Sequence, residues 1–123
     1  MKFLCLIYED QSTFDRQTPE EWRRLRTDVL EYVERLRADG RLLDAQPLQR
    51  ADRTSVVRVR KGNVSVTDGP FIETKEQIGG FFIVDVADKE EAIRLAAEWP
   101  SAHLGTIEVR PLDEGLPTET RYV

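Results

Sequence analysis

The sequence predicts an α+β chain of the ferredoxin-like kind, β-α-β-β-α-β, with a β-hairpin inserted at its middle. Three observations carry that prediction. Two amphipathic helical stretches, each opened by a capping signal, alternate with short apolar runs that read as strands. Two of those runs, Lys2–Tyr8 and Gly80–Val86, are apolar on both faces, as central strands are. Between them, Ser55–Arg60 and Asn63–Thr67 alternate around Lys61-Gly62, the pattern of a tight hairpin.

The elements follow in order. Lys2–Tyr8 is nearly continuous apolar and should be covered on both sides. Thr18-Pro19-Glu20-Glu21 starts a helix: Thr18 caps, Pro19 suits the first helical position, and Glu21 completes a capping box. Trp22, Leu25, Val29, Tyr32, Val33 and Leu36 then form one apolar stripe, which Gly40 ends. The charged residues on the opposite face are a solvated surface. Leu42–Ala45 reads as a short strand closed by Pro47. In the hairpin, Val59 should face Val64 and Val57 should face Val66, giving one apolar face, with Arg58 and Arg60 on the other. Asp88 and Glu91 cap a second helix whose stripe is Ala92, Leu95, Ala96 and Trp99, and Pro100 stops it. Thr106–Arg110 is the last strand, with Ile107 and Val109 inward.

Two helices can cover only one face of such a sheet. The other face is still apolar, and a second copy of the same chain is the expected cover, which makes the protein a homodimer.

Composition bounds the function. A length of 123 residues fits one domain, 1–123, with 112–123 as an extended C-terminal tail. The content, 40% hydrophobic and 33% charged, is that of a globular chain. No apolar run is long enough to span a bilayer, and the acids at Glu9 and Asp10 spoil a signal-peptide reading, so a cytoplasmic protein is expected. A net charge of −5 disfavours direct nucleic-acid binding. Cys5 is the single cysteine, in an apolar strand, and reads as an inert buried thiol. His103 is the single histidine, in the turn after the second helix. One histidine and one cysteine leave no multi-histidine or zinc-type site, so no metal or cofactor is expected.

The segment Asp68–Gly80 links two strands through about a dozen residues, far more than a simple hairpin needs. Asp68 suits a turn opening, Gly69-Pro70 fixes the start, Phe71 and Ile78 can anchor it apolarly, and Gly79-Gly80 allows close backbone approach. Glu73 and Glu76 flank Lys75, and two carboxylates about an ammonium can hold a polar ligand, shuttle a proton, or form a local ion-pair cluster that locks the loop. The candidate cleft or ligand-binding residues are therefore Tyr8, Asp68, Glu73, Lys75, Glu76, Gln77 and Arg110, with Gly69, Pro70, Phe71, Gly79 and Gly80 as structural loop residues.

The run D-G-P-F-I-E-T-K-E-Q-I-G-G, residues 68–80, resembles the signature of the DGPF (DGPFAETKE) family of the YCII-related group, departing from the name motif only at Ile72. The opening M-K-F-L-C-L-I-Y and the closing G-T-I-E-V-R-P resemble that family's ends as well. The resemblance implies a dimeric α+β barrel, two ferredoxin-like subunits meeting by their open sheet faces. It also implies two functional readings. In one, the protein is a ligand- or partner-binding module, in some relatives linked to sigma factors of transcription. In the other, it is a cofactor-free enzyme of degradative lyase or isomerase type working through cleft carboxylates. A His–Asp pair proposed for YCII enzymes has its histidine in the first helix, where this sequence has none.

Overall fold

The structure is a computed structural model that describes residues 1–114; the predicted 112–123 tail falls mostly outside the described residues. Its strands and helices are β1 (Lys2–Asp10), α1 (Gln11–Asp15), α2 (Pro19–Ala38), β2 (Leu42–Pro47), β3 (Ser55–Arg60), β4 (Asn63–Asp68), β5 (Glu76–Asp85), α3 (Lys89–Ala97) and β6 (Gly105–Pro111). Four strands form an antiparallel sheet in the order β2-β5-β1-β6, and β3 and β4 form a separate two-stranded ribbon. This is the α+β arrangement the element order predicts.

The helix starts form for the reasons read from the sequence. Thr18 accepts from the Glu21 N–H, and the Glu21 side chain reaches back to the Thr18 N–H, a complete capping box. Asp88 accepts from the Glu91 N–H, while Glu91 bonds the Ala87 N–H. One short helix, α1, has no counterpart in the sequence reading; the Asp10 carboxylate starts it by accepting from both the backbone and hydroxyl of Ser12.

The core lies between the sheet and helices α2 and α3. Phe3, Cys5 and Ile7 of β1, Phe82 and Val84 of β5, and Leu42 of β2 meet Tyr32 and Leu36 from α2 and Ala92, Leu95 and Ala96 from α3. Trp99 stacks flat on Phe82, with ring centroids 4.1 Å apart, and meets Tyr32 edge-on at 5.6 Å. The Tyr32 hydroxyl donates to the Leu95 carbonyl at 2.8 Å, tying the two helices together and satisfying the buried O–H. Burial pushes the Cys5 thiol up to about 12. Cys5 is therefore expected to resist thiol reagents in the native protein and to react once denaturant is added, and fast labelling without denaturant would show that β1 opens.

The other face of the sheet carries Leu4 and Leu6 opposite Ile83 and Phe81, and no helix or strand among the described residues covers it. At its edge the Tyr8 hydroxyl donates to Glu108 at 3.3 Å, and Arg110 stands opposite Leu4.

The hairpin register is as predicted: Val59 faces Val64, Val57 faces Val66, and Arg58 faces Ser65. Lys61 and Gly62 both take positive φ, 51° and 78°, which suits the right-handed twist of a two-residue hairpin loop. The burial of the valine face is corrected. Val57, Val59, Val64 and Val66 are 56–66% exposed, because the ribbon stands off the four-stranded sheet and nothing among the described residues packs on that face. Val59→Asp is accordingly expected to change the stability of the dilute chain by less than about 0.5 kcal/mol. A concentration-dependent loss of stability in the same variant, read by thermal melts at low and high protein, would place the valine face in an interface.

Candidate active site

The β1 alternation that buries Phe3, Cys5 and Ile7 continues through Glu9, so a carboxylate follows three core side chains on the helix-facing side. Opposite it, a bulge interrupts the β1–β5 ladder: Ile7 faces Gly80, Tyr8 faces Ile78, and Gly79 is the extra residue. The Glu9 carboxylate occupies the space that a Cβ on Gly79 would fill, so the niche exists because residue 79 has no side chain. Burial pushes the Glu9 carboxyl above its ordinary range, with no opposing interaction. Among the described residues it has no hydrogen-bond or ion-pair partner.

The niche opens into a cleft of about 670 Å³, within the range of small-molecule sites. Its walls come from four places. Gln11 and Phe14 of α1 and Trp22 at the start of α2 form one side, where Phe14 and Trp22 meet edge-on at 5.7 Å. The connection between β2 and β3, from Leu48 to Arg53, forms another, and Lys75, Gln77, Ile78 and Gly79 close the base beside Glu9. Two ion pairs tie these walls to each other: Arg50 reaches Asp15 at 3.3 Å, and Lys75 reaches Asp10 at 3.5 Å. Hydrogen bonds, from Ser12 to Asp10 and from Gln11 to Asp15, are the leading cause that holds each carboxyl below its ordinary value, and the cations add to the effect. Glu9 is shifted the opposite way. Neighbouring carboxyls pushed apart by their surroundings are what acid–base chemistry uses.

The predicted site residues do not gather in one place. Lys75, Gln77 and Gly79 line the cleft. Tyr8 and Arg110 stand on the open sheet face instead, and Glu76 receives the Thr106 hydroxyl at 3.3 Å. Asp68 ends β4 opposite Ser55 and Glu73 is exposed in the loop, both apart from the cleft.

The loop itself is shorter than the sequence suggests, because β5 begins at Glu76 rather than Gly80: Glu76 pairs with Asp10 and Gln77 with Glu9 across the bulge. Its start is fixed by the Gly69 N–H donating to the Thr54 carbonyl at 2.8 Å, before the cis Gly69-Pro70 peptide, and not by an Asp68 side-chain bond. Its middle is held by Gln77 Nε2, which donates to the carbonyls of Ile72 at 2.7 Å and Thr74 at 3.1 Å. Phe71 is 66% exposed and gives no apolar anchor; the Arg58 guanidinium lies over its ring at 5.1 Å. His103 is exposed in the turn before β6.

Sequence reasoning missed Glu9, Phe14, Trp22, Arg50 and Arg53. A signal was present for Glu9: an acid two positions beyond three inward-facing apolar residues of one strand. Trp22 was read as core but is 48% exposed on the cleft.

The profile of the YCII-related domain matches residues 1–114. The chain belongs to the YCII-related family. An uncharacterised protein of Rhizobium meliloti (strain 1021) is 33% identical to this YCII-related chain over 114 residues, covering 91% of it and 92% of the relative. Among solved structures, the chain is similar to 5-chloro-2-hydroxyhydroquinone dehydrochlorinase from Burkholderia phenoliruptrix AC1100, in complex with 2,5-dihydroxybenzoquinone. The TM-score is 0.56 with 19% identity, over 94% of this chain and 96% of that one, a likeness of fold.

Among the described residues, no group of three or more His, Cys, Asp or Glu side chains is placed to hold a metal ion. No helix among them is long and apolar enough to cross a membrane.

Proposed function

We propose that the chain binds a small organic molecule in the cleft at Glu9 and moves a proton on it, as a lyase- or isomerase-type enzyme whose acid–base group is Glu9. One observation carries the reading: a carboxyl with no partner, desolvated in the niche that Gly79 leaves open, faces a ligand-sized cleft. A carboxyl whose pKa is raised by desolvation is a stronger base when ionised than an ordinary carboxylate, which suits it to proton transfer. A fully ion-paired cleft would suit a pure binding module; here Asp10 and Asp15 are paired and Glu9 is not. A dehydrochlorinase of like fold is compatible with this class, since removing hydrogen chloride is itself a proton-transfer reaction.

The apolar open face of Leu4, Leu6, Phe81 and Ile83 favours a homodimer, and nothing among the described residues favours a sigma factor over a second copy. The 68–80 motif favours the DGPF branch of the family. The composition favours a cytoplasmic protein.

The test is turnover. Purified protein is incubated with a panel of halogenated and hydroxylated rings while halide release and deuterium uptake from solvent are followed. Turnover by the native protein that Glu9→Gln abolishes, with the circular dichroism spectrum kept, supports the proposal. Turnover that survives Glu9→Gln unchanged contradicts it.

A further inference from the structure

Three cations, Arg50, Arg53 and Lys75, line the cleft together with two carboxylates, Glu9 and Asp52. Arg50 and Lys75 are engaged with Asp15 and Asp10. Among the described residues Arg53 has no ion-pair partner. An exposed planar guanidinium in the lining of a cleft is suited to a carboxylate or similar oxyanion. Phe14 and Trp22, meeting edge-on, add apolar aromatic surface to the same lining.

Glu9 is the group this arrangement must accommodate. As a carboxylate it repels an anion; as a carboxylic acid it donates an O–H to one. The charged groups around it are Asp10 on its own strand, Asp15 on α1, Arg50, Asp52 and Arg53 on the connection, Lys75 in the loop and Glu76 on β5; α2 adds only Trp22 to the lining. Asp10 and Asp15 are held in the ionised form by Ser12 and Gln11, so a proton arriving with an anion goes to Glu9 rather than to them.

We infer that the cleft takes a small organic anion with a flat apolar body, its charge met by Arg53 and its body set against Phe14 and Trp22, and that Glu9 joins it as the carboxylic acid, so that each anion bound brings one proton with it. This deepens the proposed function and rests on the same cleft being the ligand site.

The experiment uses benzoate as the anionic probe and benzamide as its neutral match. Binding is followed by quenching of Trp22 fluorescence, since Trp99 is only 5% exposed. Protons are counted by calorimetry in two buffers of different ionisation enthalpy. Benzoate is expected to bind roughly tenfold or more tightly than benzamide, the scale of one charge-assisted hydrogen bond. Above the Glu9 midpoint it should take up close to one proton, and in that range its affinity should fall by about tenfold per pH unit. Glu9→Gln should keep benzoate binding at neutral pH while losing both the proton uptake and the pH slope. Arg53→Gln should remove the preference for benzoate over benzamide. Equal binding of the two probes, or benzoate binding without proton uptake, overturns the inference and leaves the cleft as a ligand site. Failure of both probes to quench Trp22 overturns the inference, while the proposed function stands or falls on the turnover test.

Discussion

Phe82→Ala is expected to lower the unfolding free energy by about 3–5 kcal/mol, the range for removing a large aromatic from a packed core. Phe82 is fully buried in the strand next to β1, and the flat Trp99 ring lies 4.1 Å from it. Truncation removes the buried ring's transfer free energy, leaves a cavity beneath Trp99, and disturbs the edge contact between Trp99 and Tyr32. The cavity can close only if α3 and its following turn move toward the sheet. The Tyr32–Leu95 hydrogen bond resists that, because it ties α3 to α2. Chemical denaturation of the two proteins checks the value, and a loss below about 1 kcal/mol, far under the range for such truncations, would mean that the Phe82–Trp99 stack is not the centre of the core.

Glu9→Gln is expected to cut turnover by about 10²–10⁴-fold, the usual worth of a positioned proton-transfer group. Glutamine keeps the shape of the side chain and its place against Gly79 but cannot exchange a proton, so binding survives and the chemical step does not. Stability should move the other way. The folded protein holds the Glu9 carboxyl above its ordinary value, so the folded state binds more protons than the unfolded state between the two values. Stability is therefore highest below the unfolded value and falls as pH rises through the folded one. Above the folded value the native protein bears the cost of desolvating an ionised Glu9, and Glu9→Gln relieves it. The variant should thus be inactive yet no less stable than the native protein, a trade expected where a functional group is held in an unfavourable setting. Equal or greater activity in the variant, or a clear loss of stability, would remove Glu9 from the mechanism.

Much of the fold was legible because the local signals agree with one another. Thr18 and Asp88 start their helices through hydrogen bonds that their residue types dictate, and Lys61-Gly62 sets the hairpin register that the structure shows. The start of β5 was misplaced for a physical reason: Glu76 and Gln77 look like loop residues, but their backbones extend the ladder to Asp10 and Glu9 while Gly79 bulges out. The hairpin valines were read as buried because alternation reveals which side chains share a face, and says nothing about whether anything packs against it. The motif between Asp68 and Gly80 drew attention to the right neighbourhood through Lys75, Gln77 and Gly79, yet the group at its centre lay elsewhere in sequence. Arg50, Arg53, Phe14 and Trp22 reach the cleft through pairings between distant segments, which no local pattern encodes.

The most direct measurement is a carbon-13 NMR titration of the glutamate side-chain carboxyls, with the Glu9 resonance assigned by its loss in Glu9→Gln. The midpoint for Glu9 is predicted to lie above the ordinary value of 4.5, and Gly79→Ala, which drives a methyl group into the niche and the carboxyl out toward water, should bring it back down. A Glu9 midpoint at or below the ordinary value in the native protein would contradict a desolvated, unpaired carboxyl at the head of the cleft.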